Sequence, residues 1–152
     1  MSDTTHLFPL GEEGPCACSQ LRRAARKITA IYDHALQPAG ISITQHALLV
    51  NVARAGEISR TALATKLGMD RTTLTRNLMP LEKLGLLVPA KSKDRRERLI
   101  QLSAKGLRKV HQSFELWRTA QRSFTSEMGV AKLKQFREVL RTAEEVAEKV
   151  SG

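Results

Sequence analysis

Cysteine is nearly absent: the 152 residues hold two, Cys16 and Cys18. Two thiols cannot build a disulfide framework, so the chain is expected in a reducing compartment, the cytoplasm. No apolar run approaches the roughly 18 residues of a membrane span, and no membrane partner is expected. The opening MSDTTHLFPLGEEGP has no basic segment leading into an apolar core, so it does not read as a secretory signal. HExxH, GxSxG and phosphate-loop patterns are missing, and His6, His34, His46 and His111 are scattered. The carboxylates sit mostly beside Lys or Arg at surface helical positions. Catalysis is therefore not expected, and neither a metal nor any other cofactor. There is no internal repeat.

What the chain has in excess is positive charge, a formal net of +10. Such a balance points to an anionic partner, nucleic acid before an anionic membrane surface. The length suits one domain.

The informative stretch runs from Ile58 to Gly106. Ser59 is a good N-cap for a short helix carrying Ala62, Leu63 and Leu67 on one side. Gly68 suits a helix stop, because glycine enters the left-handed region cheaply. Asp70 then caps a second helix, where Leu74, Leu78 and Leu81 mark the buried face. Thr72, Thr73, Thr75, Arg76, Met79 and Lys83 project away from that stripe. Two helices around a Gly turn, the second polar and cationic outward, form the helix-turn-helix pattern, whose second helix enters the major groove. Arg can fork onto guanine; Thr can hydrogen-bond a base or lay its methyl on thymine. Any amphipathic helix has a polar back, so the pair alone does not decide the matter.

The next segment adds weight. Leu86–Ala90 and Leu99–Leu102 are short apolar runs flanking Lys91-Ser-Lys-Asp-Arg-Arg-Glu-Arg98. Two strands joined by a basic hairpin read as a wing, which lies along phosphates and can send an Arg into the minor groove.

Leu81-Glu-Lys-Leu-Gly-Leu-Leu-Val88, Asp94-Arg-Arg96 and Leu102-Ser-Ala-Lys-Gly106 resemble, in order and spacing, the signature of the multiple-antibiotic-resistance regulator (MarR) family. The resemblance extends over most of the chain. It implies that Arg96 is the wing-tip Arg for the minor groove, that Asp94 holds it or the wing backbone, and that Thr72, Thr73, Thr75 and Arg76 occupy the base-reading part. Ser59, Arg60, Thr61, Arg71, Lys93 and Arg95 complete the expected DNA-facing set. Pro80 sits inside the recognition helix and should kink it, since it removes an N–H.

Residues 1–18 read as an N-terminal arm, with Pro9, Gly11, Gly14 and Pro15 and little periodicity. Residues 19–152 form one domain: a winged helix-turn-helix lobe over 42–102, and dimerisation helices over 19–37 and 103–152. The first helix, Ser19 to Leu36, carries Leu21, Ile28, Ile31, Tyr32 and Leu36 amid Arg22, Arg23, Arg26 and Lys27. Ser42-Ile-Thr-Gln45 opens the next as a capping box, and Ala55-Gly-Glu57 is a turn. After the wing, Ser103 caps a long helix bearing Leu107, Val110, Phe114, Trp117 and Phe124, broken around Ser126 to Gly129. In the last helix Leu133, Phe136, Leu140, Ala143, Ala147 and Val150 form a heptad-like seam that needs a partner. So small a chain cannot cover these helices alone, which predicts a homodimer; the family resemblance implies the same. Two recognition helices about 34 Å apart would read an inverted-repeat operator, and a dimer seated on a promoter would repress by blocking polymerase.

Regulators of the resembled family typically release DNA on binding a small aromatic acid or on thiol oxidation. Arg26, Tyr32, His34, His46 and Trp117 are candidates to line a ligand cleft, Arg or His pairing a carboxylate and the rings covering an aromatic face. Cys16 and Cys18 stand where a helix N-terminus and Arg22 and Arg23 would favour a thiolate; they read more readily still as ordinary small residues where the arm meets the dimer, and least readily as metal ligands. The expectation is therefore a mainly α fold, a winged helix-turn-helix with dimerisation helices from both chain ends, acting as a regulator on double-stranded operator DNA. The alternative is a basic winged-helix protein with a non-specific nucleic-acid or protein-binding role.

Overall fold

The computed structural model describes residue 11, residues 14–91 and residues 98–152. Six helices and a small sheet follow in the order α1 (Ala17–Leu36), α2 (Ile43–Ala55), β1 (Glu57–Ser59), α3 (Arg60–Leu67), α4 (Arg71–Lys83), β2 (Leu87–Pro89), β3 (Leu99–Leu102), α5 (Ala104–Met128) and α6 (Val130–Ser151), with a single 3-10 turn at Gln37–Ala39 after α1.

Side-chain caps set most of the helix starts. The Ser42 hydroxyl accepts from the Gln45 amide while the Gln45 side chain accepts from the Ser42 amide, the expected capping box. Asp33 of α1 accepts from the Ile43 amide at 2.7 Å, which ties α1 to the head of α2. Ser59 caps α3, Asp70 caps α4 and Ser103 caps α5. Gly68 ends α3 at φ +60°, as its place in the helix-turn-helix required. The helix α4 runs on through Pro80 to Lys83, so the proline interrupts one backbone bond without ending the element.

The sheet is antiparallel in the order β1-β3-β2, with Ile58 opposite Ile100 and Val88 opposite Gln101. The turn expected at Ala55–Glu57 is shorter than that: Glu57 already belongs to β1. Three residues are too few for alternation to show in a sequence, and β1 exists because β3 supplies its hydrogen bonds. The α1 helix likewise begins at Ala17, before the expected Ser19, so Cys18 lies inside it.

One aliphatic core unites the winged lobe: Leu48, Leu49 and Val52 of α2, Leu63 of α3, Leu74, Leu78 and Leu81 of α4, Leu86, and Ile100 of β3. The long helices are covered far less. In α6 only Leu133 is buried, among the described residues, and Val139, Val146 and Val150 stand 65%, 50% and 81% exposed. The expected seam is therefore split. Leu133, Phe136 and Leu140 are at least partly covered, while Val139, Ala143, Val146 and Val150, spaced four, three and four, form an open apolar stripe. Leu107, expected on the buried stripe of α5, is also exposed.

Candidate nucleic-acid interface

The helix α4 presents its reading face because its first turn is locked from behind. Asp70 Oδ1 accepts from the Thr73 amide at 2.8 Å, and the Thr73 hydroxyl donates to Oδ2 at 2.7 Å. Hydrogen bonding by that hydroxyl, then by the amide, holds the Asp70 carboxyl below its ordinary value, so the cap stays ionised. The hydroxyl hydrogen of Thr73 is thus engaged in the cap, and Asn77 donates to the Thr73 carbonyl. Arg71, Thr72, Thr75 and Arg76 remain exposed and, together with Met79, line a shallow groove of about 390 Å³. Met79 was not among the expected contacts. Its signal was its place, three residues beyond Arg76 on the same face.

The helix α3 packs against α4. The Ser59 hydroxyl accepts from the Ala62 amide at 3.1 Å, and Thr61 is exposed, with its carbonyl accepting from Thr65. The guanidinium of Arg60 is ion-paired to Glu82 in the last turn of α4, which fastens the two helices of the motif together.

The wing is anchored at its base. The Ala90 amide donates to the Leu99 carbonyl at 2.9 Å, and the Ser103 hydroxyl donates to the Gly85 carbonyl at 2.6 Å. Lys93, Asp94, Arg95 and Arg96 lie outside the described residues. Gly106 is buried against the residue that precedes β2, where a Cβ would stand 2.0 Å from the Leu86 carbonyl oxygen. This close approach explains the glycine in the Leu102–Gly106 motif.

Behind the lobe, a pocket of about 170 Å³ opens between α2 and α5, lined by Ile43, His46, Ala47, Val50, Asn51, Arg54, Phe114 and Trp117. His46 stacks on Trp117 with ring centroids 5.9 Å apart, and its Nδ1 lies 2.9 Å from Ser113 Oγ. Burial, then the charge of Arg54, holds His46 below its ordinary value. Of the expected ligand residues, His46 and Trp117 meet here. Arg26 and His34 are exposed on α1, and Tyr32 turns to α5, donating to Gln121 at 2.8 Å and packing on Phe124. Arg54 and Phe114 were missed as pocket residues. Arg54 follows His46 by eight residues, two helical turns along the same face.

Cys16 and Cys18 are both exposed free thiols. The Ser19 amide, then its hydroxyl, holds the Cys16 thiol below its ordinary value. Among the described residues no helix is long and apolar enough to cross a membrane.

A family model described as MarR family matches residues 39–97. No curated protein matches the sequence. Among solved structures, the transcriptional regulator MosR from M. tuberculosis in complex with DNA is 34% identical, covers 89% of this chain and 98% of its own, and superposes with a TM-score of 0.80. The fold alone is shared with CouR, a transcriptional repressor bound to a 23-mer DNA duplex, at 24% identity, 90% and 98% coverage and TM-score 0.78. It is likewise shared with a MarR variant from E. coli complexed with operator DNA, at 20% identity, 94% and 99% coverage and TM-score 0.75. The extent of the match to MosR, together with the family model over the winged lobe, places this chain in the MarR family of transcriptional regulators.

Proposed function

We propose that this regulator is a homodimer that recognises an inverted-repeat operator in double-stranded DNA and represses by occupying a promoter. The observation that carries the reading is the outward face of α4, where Arg71, Thr72, Thr75 and Arg76 stand exposed on a helix whose opposite face is fully buried. Thr73 supports that face by completing its cap, and Ser59, Arg60 and Thr61 flank it. Lys93, Asp94, Arg95 and Arg96 would form the wing contact. The pairing of Arg60 with Glu82 makes it more a brace than a phosphate ligand. The DNA complexes of MosR and CouR favour the same use of this fold.

The exposed stripe of α6 and the exposed Leu21 and Ile31 of α1 support dimerisation through 19–37 and 103–152, with 42–102 as the DNA-binding lobe and 1–18 as an arm. Release has two candidate triggers. One is a small aromatic acid in the His46 pocket, where Trp117 and Phe114 would cover the ring and Arg54 would pair the carboxylate. The other is oxidation at Cys16, whose thiolate Ser19 favours.

The test is a fluorescence-anisotropy titration of reduced protein against its own upstream intergenic DNA and a shuffled duplex, at two salt concentrations. A preference on the order of 10³-fold or more for the native duplex supports the reading. Equal affinities that collapse together with salt leave a basic winged-helix protein of non-specific binding. Analytical ultracentrifugation tests the dimer, and a monomer at micromolar concentration would exclude it.

A further inference from the structure

The outward face of α4 holds a residue whose chemistry differs from its neighbours. Thr72, Thr75, Arg76 and Met79 stand at intervals of three, four and seven, so they share one stripe, about 10 Å long at 1.5 Å per residue. The three leucines of α4, Leu74, Leu78 and Leu81, occupy the core side and are buried. Met79 is 46% exposed and lines the surface groove with Arg71, Thr72, Thr75 and Arg76. A lone exposed apolar residue needs no explanation by itself. Here, however, it floors one end of a groove whose other walls are cationic and hydroxylic.

The polar inventory of that face narrows what the groove can read. Thr73 has committed its hydroxyl hydrogen to Asp70, and the half-buried Asn77, to the side of the stripe, donates one amide hydrogen to the Thr73 carbonyl. The guanidinium of Arg76 has no ion-pair partner among the described residues. What the stripe offers a base edge is therefore the Arg76 fork, the hydroxyls and methyls of Thr72 and Thr75, and the thioether of Met79. In the major groove the apolar feature of the four ordinary bases is the C5-methyl of thymine. A flexible, polarisable thioether flanked by threonine methyls is a good surface for it.

We propose that Met79, with the methyl group of Thr75, forms a contact site for a thymine C5-methyl beside the base read by Arg76, making Met79 a specificity-determining residue. Spacing sets the register. Met79 lies about 4.5 Å along the helix from Arg76, against about 3.4 Å per base step, so the thymine is one step from the arginine-read base pair. Each half-site then carries one methyl-sensitive thymine. The inference rests on the proposed entry of α4 into the major groove, and the experiment separates the two.

Duplexes are first selected from a randomised 30-base-pair library by binding to the full-length protein. Each thymine of the selected sequence is then replaced singly by deoxyuridine, which removes only the methyl group. Affinities are measured by anisotropy for the wild type, Met79→Gln and Met79→Leu. The expected result is one thymine per half-site whose replacement weakens wild-type binding about threefold to fivefold, the value of one buried methyl. That loss should vanish in Met79→Gln and persist in Met79→Leu. A selected sequence with no methyl-sensitive thymine, or the same loss in Met79→Gln, overturns the inference and leaves the DNA-reading role of α4 standing. Failure to enrich any sequence overturns that role and the inference together. Because Met79 is half exposed, both variants should keep the wild-type circular-dichroism spectrum and melting temperature.

Discussion

The Nδ1 of His46 lies 2.9 Å from the Oγ of Ser113, a buried hydrogen bond that joins the winged lobe to the long helix α5. Ser113 donates its own hydrogen to the Val110 carbonyl at 3.2 Å. Its oxygen therefore accepts from His46, and the network assigns the Nδ1–H tautomer. In this neutral form Nε2 is left as an acceptor. The folded protein binds the His46 proton less readily than the unfolded chain does, because burial and Arg54 lower its pKa. Stability should then rise with pH up to about 6.5, the ordinary histidine value, and be lost as pH falls below it. Urea unfolding of the wild type and His46→Gln across this range checks it: the difference between them should shrink toward low pH. Ser113→Ala leaves a buried N–H unpaired and should cost about 1–3 kcal/mol at neutral pH.

Gly106 is a second junction, between the base of the wing and the long helix α5. A methyl placed there meets the Leu86 carbonyl oxygen at 2.0 Å, and backbone cannot yield as a side chain can. Gly106→Ala should destabilise by about 1–3 kcal/mol or more. Ala104→Gly, on the exposed side of the same turn, should cost about 1 kcal/mol or less. Equal midpoints for Gly106→Ala and wild type would contradict the close packing.

Arg60 and Glu82 brace the helix-turn-helix, and both side chains are about one-third exposed. A double-mutant cycle with Arg60→Ala and Glu82→Ala should return a coupling of about 0.2–1 kcal/mol in stability. If the guanidinium is held as a brace, Arg60→Ala should leave the salt dependence of DNA binding unchanged. A decrease of about one in the slope would make it a phosphate contact instead.

Arg76 and Arg96 should behave differently from Arg60. Arg76→Ala is expected to cost about 1–3 kcal/mol on the operator and to relax choice at one position. An equal loss on shuffled DNA would reduce it to a phosphate contact. Arg96→Ala should weaken operator binding with the dimer mass unchanged, and an unaltered affinity would remove the wing from the interface.

The thiol pair offers a direct chemical test. Peroxide should lower operator affinity in the wild type and leave a Cys16→Ser, Cys18→Ser variant unaffected. The same response in both proteins would assign the effect to another residue.

Local chemistry is why so much of the winged lobe was legible beforehand. Ser42, Ser59, Asp70 and Ser103 cap helices through bonds to residues three positions on, and Gly68 ends one by a left-handed conformation that glycine reaches cheaply. The leucine stripe of α4 needs only the helical repeat to declare its buried face. By contrast, the strand at Glu57–Ser59 is too short to carry a pattern and is created by its pairing with Leu99–Gln101. Which aromatic and cationic residues share the pocket was decided by how α2 crosses α5, so Arg54 and Phe114 entered it while Tyr32 turned away to Gln121. Within the winged lobe, neighbours inside one turn were enough to fix where α2 to α4 begin and which faces they bury. The fold alone set the pairing of Arg60 with Glu82, the bond between His46 and Ser113 and the turn of Tyr32 to Gln121, because partners far apart in the chain depend on where the backbone carries them.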